Sequence, residues 1–175
     1  MNDTLVRSLE SLHTDAFGWA LHCCDGAHAE AADVLQNAYL KVLQEKVIFR
    51  DRSVLKTWWF GVIRLTAKEE QRRLRFRESL PGKLLQLCVF ENETTSLELN
   101  SRLEFDESAS QLRDCLAQLP ARQAEVLHLV FYQDLSLSEA ATIMGVSIGS
   151  ARTHYDRAKS RLRTLLASTE LTHER

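Results

Sequence analysis

The segment DLSLSEAATIMGVSIGSARTHYDRAKSRLR, from Asp134 to Arg163, constrains the fold more tightly than any other part of the chain. Leu137, Ala140, Ala141 and Met144 recur at helical spacing, and so do Ile148, Ala151, Tyr155, Ala158, Leu162 and Leu165. The spacing predicts two helices with a break between them. Ser136-Leu137-Ser138-Glu139 is a capping-box pattern, in which Ser136 and Glu139 satisfy each other's free backbone amides. At the break, Gly145 suits a left-handed turn and Ser147 suits the cap of the second helix. Two closely linked helices with a glycine turn read as a helix-turn-helix, whose second helix enters the DNA major groove.

On that second helix the apolar side leaves Thr153, Asp156, Arg157 and Ser160 opposite, with Arg152 and Arg163 flanking them. Between Ser147 and Leu166, Arg152, Arg157, Lys159, Arg161 and Arg163 stand against Asp156 alone, a net charge of +4. A positive helix suits a phosphate backbone, although a solvated helix in a small bundle can also be basic. The turn, the two caps and the charged face together favour DNA.

The same reading extends along the whole chain. Two prolines and six glycines in 175 residues, with few β-branched runs, predict an all-α protein. The net charge of −2 is uninformative by itself, but its distribution is not. Residues 81–110 carry 2 basic and 6 acidic side chains, between two near-neutral ends that each contain a basic helix. The expected organisation is two small helical domains, 1–80 and 109–175, joined by an acidic, partly flexible linker at 81–108. Pro81-Gly82 would break the preceding helix, and ENETTS from Glu91 to Ser96 suits a tether. Leu84, Leu85, Leu87, Val89 and Phe90 imply that part of the linker docks.

Cys23, Cys24, Cys88 and Cys115 show no repeated CxxC spacing, and no signal peptide or membrane-spanning apolar run is apparent. Reduced thiols in a cytoplasmic protein are expected, with no metal and no cofactor. His22, Cys23, Cys24 and His28 are near in sequence, but adjacent cysteines are awkward ligands and suit a helix core better.

In the first half, Leu9, Leu12, Ala16, Trp19, Ala20 and Cys23 form one helical stripe, ended by Asp25-Gly26. Val34, Leu35, Ala38, Tyr39, Val42 and Leu43 form another, opposite Asp33, Gln36, Asn37 and Lys41. Phe49-Arg50-Asp51-Arg52-Ser53 reads as a loop. A helix then reopens at Val54 and runs through Trp58, Trp59 and Phe60 into Lys68, Arg72, Arg73, Arg75 and Arg77. From Arg64 to Arg77 the net charge is again +4. Aromatics beside a basic helix can stack on unpaired bases, yet Trp58, Trp59 and Phe60 cannot share one face, and one tryptophan belongs in the core. In the second half, Leu112, Cys115, Leu116 and Leu119 form a helix. Pro120 opens the next at the first helical position, with Val126, Leu127, Val130 and Phe131 buried.

In this order the segments resemble a bacterial RNA polymerase sigma factor of the extracytoplasmic-function (group 4) type of the sigma-70 family. AADVLQNAYLKVLQ, Ala31 to Gln44, is similar to the family's polymerase-binding helix. FRDRSVLKTWWFGVIR, Phe49 to Arg64, is similar to its promoter-melting loop and following helix, and Leu116 to Arg163 resembles the domain that reads the minus-thirty-five element.

The resemblance implies that Asp33, Gln36, Asn37, Leu40 and Lys41 grip the polymerase. It implies that Arg50, Arg52, Ser53, Lys56, Trp59, Arg64, Lys68 and Arg72 meet the minus-ten region, where the loop captures a flipped base. Ser147, Ser150, Arg152, Thr153, Asp156, Arg157 and Lys159 would meet the minus-thirty-five DNA. Core RNA polymerase, promoter DNA and an anti-sigma factor, in some cases membrane-bound, are the implied partners.

The chain departs from the family's pattern at several positions, among them His154, where a basic residue is frequent. Family members commonly carry an acidic residue where this chain has Ala32 or Asn37, and an asparagine where it has Leu65. Two other readings remain open: a sigma-like decoy that binds an anti-sigma partner without initiating transcription, and a conventional helix-turn-helix regulator binding palindromic sites as a dimer. Enzyme motifs are absent from the sequence, with no Gly-rich phosphate loop, HExxH or nucleophile signature.

Overall fold

Helical periodicity becomes helix in both halves of the computed structural model, which describes residues 3–78, 112 and 114–173. Every regular element among the described residues is helical. The chain divides into two compact units, Met1–Glu98 and Leu99–Arg175. The linker expected at 81–108, with Cys88 and the Pro81-Gly82 break, lies outside the described residues.

The N-terminal unit contains α1 (Asp3–Ser11), α2 (His13–Cys23), α3 (His28–Leu43) and α4 (Leu55–Glu78). The stripe from Leu9 to Cys23, expected on one helix, is split between α1 and α2 by a non-helical Leu12 (φ −95°, ψ 6°). Serine chemistry contributes to this break: Ser8 Oγ donates to Thr4 O (2.9 Å) and Ser11 Oγ to Ser8 O (2.8 Å). Such side-chain bonds compete with the helical backbone ladder. Asp25 and Gly26, both at positive φ (51° and 85°), turn the chain into α3.

Helices α2, α3 and α4 pack pairwise, and α1 lies against α2. Trp19, Trp59, Phe60, Ile63, Val34 and Leu9 are fully buried at their centre. The Trp19 and Phe60 rings stack at 5.9 Å, and buried Trp19 Nε1 donates to Phe60 O at 3.0 Å. Each large apolar side chain buried here is worth about 1.5–3 kcal/mol, so this cluster dominates the unit's stability.

The C-terminal unit begins, within the described residues, with a helical stretch over 114–117. Pro120 is the N-cap of α5 (Ala121–Leu127), one position earlier than expected, with an extended ψ of 141°. α5 widens into a π-helical turn, His128–Tyr132. That turn alters the expected burial. Leu129 is buried while Phe131 is 65% exposed, because a widened turn shifts every following side chain around the axis relative to the 3.6-residue period.

α6 (Leu137–Met144) and α7 (Ile148–His173) complete the unit. α7 packs against both α5 and α6. Leu119, Leu127 and Ala158 are buried together, with Leu116, Ala124, Tyr155, Leu162 and Leu165 around them. Ile148, counted in the apolar stripe, is instead 50% exposed.

Candidate functional site

The two-helix element in the C-terminal unit is fixed by short-range bonds. Ser136 N donates to Glu139 Oε2 (2.9 Å) and Glu139 N donates to Ser136 Oγ (3.3 Å), the expected capping box. Gly145 ends α6 in the left-handed conformation (φ 66°, ψ 41°), where a Cβ would be strained. Ser147 Oγ accepts from Ser150 N at 3.1 Å and caps α7. Arg122 adds a longer tie: its Nη1 donates to Glu125 Oε2 (3.1 Å) and to Met144 O (3.3 Å). α5 is thereby bonded to the last turn of α6, beside the glycine.

This frame leaves Ser147, Ser150, Arg152, Thr153, Asp156 and Arg157 exposed, with Ser160, Arg161 and Arg163 further along α7. Ala151 and Ala158 are buried on the other side. Lys159 is half-buried, its Nζ 5.1 Å from the Tyr155 ring centroid. The exposed surface is strongly cationic, with Asp156 as its single acidic group between Ser147 and Leu166.

In the N-terminal unit the expected polymerase-binding face of α3 is divided. Asp33, Gln36 and Leu40 are exposed. Lys41 reaches α4 instead, donating to Thr66 Oγ1 (3.1 Å) and pairing with Glu69, while Asn37 Nδ2 donates to Glu70 Oε1 (3.4 Å). Arg73 also pairs with Glu70, at 3.3 Å. The two acidic residues within the basic run are thus matched by cations, leaving the positive charge of Lys68, Arg72 and Arg75 dominant on the exposed face of α4.

The loop before α4 exposes Arg50 and Arg52, with Ser53 half-buried. Between the two arginines Asp51 is at positive φ (52°), a conformation that aspartate tolerates better than most residues. The loop is closed at its base by the Phe49 and Trp58 rings, 5.2 Å apart, and the aromatic contacts continue through Trp59 to Tyr39. Lys56 pairs with Asp15 at 2.8 Å and lies over the Phe60 ring. Trp59 is 0% exposed and Arg64 is 6% exposed, so neither side chain reaches the surface on which bases or phosphates would lie.

Burial, then the nearby Glu30 and Asp25 carboxylates, push the Cys24 thiol up to about 11. A thiol so rarely ionised is a poor nucleophile and a poor metal ligand. Burial, then Glu10, raises Tyr39, whose hydroxyl donates to Leu9 O at 3.3 Å. Among the described residues no three His, Cys, Asp or Glu side chains converge as a metal site, and no helix is long and apolar enough to cross a membrane.

The sequence is similar to that of known proteins over nearly the whole chain. A family profile described as Sigma-70, region 4, matches residues 109–162, which include the capped helix pair. The ECF RNA polymerase sigma factor EcfG of Rhodopseudomonas palustris is 29% identical over 167 residues, 95% of this chain and 84% of the relative. The ECF RNA polymerase sigma factor SigL of Mycobacterium tuberculosis is 29% identical over 169 residues, covering 96% and 92%. The capped helix pair thus lies in a segment similar to sigma-70 region 4, and nearly the whole chain is similar to extracytoplasmic-function sigma factors. A solved structure, the sigma factor RpoE in complex with the anti-sigma factor NepR from Bartonella quintana, shares the fold. Its TM-score is 0.67 at 24% identity, over 95% of this chain and 98% of that one.

The residues expected at the minus-thirty-five DNA lie on α7 or, for Ser147, at its cap, and all but half-buried Lys159 are exposed. Those expected at the minus-ten DNA are more dispersed in environment. Arg50, Arg52, Lys68 and Arg72 are exposed, Lys56 and Ser53 half-buried, and Trp59 and Arg64 inside. The exposure of three apolar side chains on α4, Leu65 at 59%, Leu74 at 41% and Phe76 at 66%, is not evident from the sequence. Leu65, Arg72 and Phe76 fall at helical spacing on one side of the helix, a pattern visible in the sequence once the buried side is known.

Proposed function

We propose that this protein is a sigma factor that binds core RNA polymerase and directs promoter-specific initiation, with the work divided between its two units. The exposed side of α3, Asp33, Gln36 and Leu40, meets the polymerase, and Asn37 and Lys41 hold α3 in register with α4. Arg50, Arg52 and Ser53 capture an unpaired base, supported by the Phe49–Trp58 closure of the loop. Flipping that base costs a few kcal/mol, which stacking and hydrogen bonds in the loop must offset.

Lys68 and Arg72 follow the minus-ten phosphates, with Lys56 at the start of the same helix. Trp59 and Arg64 act from inside, by positioning α4. In the second unit Arg152, Thr153, Asp156 and Arg157 read base edges, while Ser147, Ser150 and Lys159 position the helix. Asp156 suits a cytosine N4 donor and would repel a phosphate. An anti-sigma factor restrains the protein in the cytoplasm until a signal arrives, and the chain performs no covalent chemistry of its own.

The observation that carries this reading is the capped helix pair with an exposed cationic second helix, within a chain whose relatives are sigma factors along nearly its full length. Run-off transcription from a promoter library, with core polymerase and with or without this chain, tests it. Start sites that appear only with the chain are the expected result. Retained polymerase binding without start sites would leave the decoy reading in its place.

A further inference from the structure

The first turn of α7 has two features that the packing of its own unit does not explain. Ile148 is 50% exposed, whereas Ala151 and Ala158 are buried and Tyr155, Leu162 and Leu165 are partly covered. A large β-branched side chain left half in water gives up much of the stabilisation that burial would bring.

Beside it stands Gly149, whose φ lies outside the left-handed region. A Cβ placed there would meet only Ser147 Oγ, at 3.9 Å, an ordinary contact. Neither backbone conformation nor packing calls for glycine, and glycine weakens a helix relative to alanine. What glycine does permit is the close approach of a second molecule to the backbone.

The neighbouring hydroxyls are already engaged within the helix. Ser147 Oγ accepts from Ser150 N and lies 2.9 Å from Ser150 Oγ, and Thr153 Oγ1 donates to Gly149 O at 2.9 Å. The large apolar side chain exposed in this turn is Ile148, with Arg152 one turn on. In the major groove the apolar group that a base pair offers is the C5 methyl of thymine. A cytosine in that place carries only a hydrogen at C5 and so offers Ile148 no methyl to pack on, which disfavours G·C.

We infer that Ile148 is a specificity-determining residue, packing on the methyl group of one thymine in the upstream promoter element beside the base pair read by Arg152, with Gly149 admitting the DNA that closely. The inference rests on the reading of α7 as the upstream recognition helix.

The test uses the full chain with core polymerase on duplex promoters taken from its mapped start sites. Each upstream thymine is replaced in turn by deoxyuridine, which keeps base pairing and lacks the methyl. At one position the wild-type complex should bind about fourfold more weakly, the worth of one buried methyl. Ile148→Ala should bind the thymine promoter at least that much more weakly and show no further loss at that position, while Ile148→Val retains most of the discrimination. An unchanged melting temperature for Ile148→Ala separates this from misfolding. Gly149→Ala should raise the melting temperature and still weaken promoter binding.

Tolerance of deoxyuridine at every position by the wild type, or an undiminished penalty in Ile148→Ala, would overturn the proposal. Absence of any start site with the wild-type chain would instead sink the sigma-factor reading, and this inference with it.

Discussion

The two basic helices carry the same net charge, +4 over Arg64 to Arg77 in α4 and +4 over Ser147 to Leu166 in α7, yet they use it differently. α4 packs against both α2 and α3 and also supplies Trp59, Phe60 and Ile63 to the core. The first cation of that run, Arg64, is buried, and its acidic residues, Glu69 and Glu70, are tied to Lys41, Asn37 and Arg73. α7 rests on α5 and α6 along one side. Arg152, Arg157, Arg161 and Arg163 stand exposed on it, with no ion-pair partner among the described residues. A count of charges gives the preference for an anionic partner; tertiary packing decides which of those charges a partner can reach.

This contrast predicts opposite phenotypes for the residues at each end of the scale. Trp59→Ala should cost the N-terminal unit about 3–5 kcal/mol of stability, as removal of a fully buried indole does. Denaturant melts of the full chain would register it in the transition of that unit, with the C-terminal transition unmoved. A loss under about 1 kcal/mol would show that the indole is not core and return it to the list of base contacts.

Arg152→Ala should do the reverse, leaving the melts unchanged and weakening specific promoter binding by about 1–3 kcal/mol if the guanidinium makes a bidentate base contact. Arg163→Ala should weaken binding to all sequences alike and lower the salt slope by about 0.9, the share of one phosphate. Competition between promoter and random DNA over a salt series separates the two. Equal losses on both DNAs for both variants would remove Arg152 from the reading role. Smaller again, Ser136→Ala should cost the C-terminal unit about 1 kcal/mol in a thermal melt, because one capped amide and its reciprocal partner are lost together. A null effect would mean that the Arg122 tie alone fixes α6.

The parts of the fold that were legible in the sequence are those decided within one turn of helix. Ser136 and Glu139, Gly145, and Ser147 with Ser150 each act on their own neighbours, so their types and spacing suffice. The exposed cations of α7 followed from the same local period. What escaped was set by more distant contacts or by changes of period. The π turn at His128–Tyr132 rotates Phe131 outward where a uniform 3.6-residue repeat would bury it. Leu12 interrupts a stripe that is continuous in the sequence. Arg64 sits in a basic run that resembles a surface, and only the packing of α4 against α2 and α3 puts it inside; one tryptophan was expected in the core, and the same packing selects Trp59. Ile148 keeps the period of its stripe and yet stands half exposed.

The smallest expected effect bears on the residue that belongs to both sides of the comparison. Lys56 was expected at the minus-ten DNA, but its Nζ is 2.8 Å from Asp15, in the first turn of α2, and 5.5 Å from the Phe60 ring centroid. Both side chains retain solvent contact, at 22% and 48%, so the ion pair is screened and contributes below about 1 kcal/mol. Asp15→Asn should therefore barely move the melting of the N-terminal unit. It should, however, remove an anion beside the loop, so that more of the Lys56 charge acts on DNA. Binding of the polymerase complex should tighten slightly on promoter and random DNA alike, with a salt slope steeper by less than the ~0.9 expected for one whole phosphate contact. If affinity and slope stay as in the wild type while Lys56→Ala lowers only stability, Lys56 is a tether of α4 to α2. It then belongs with Arg64 among the cations that α4 spends on its own unit.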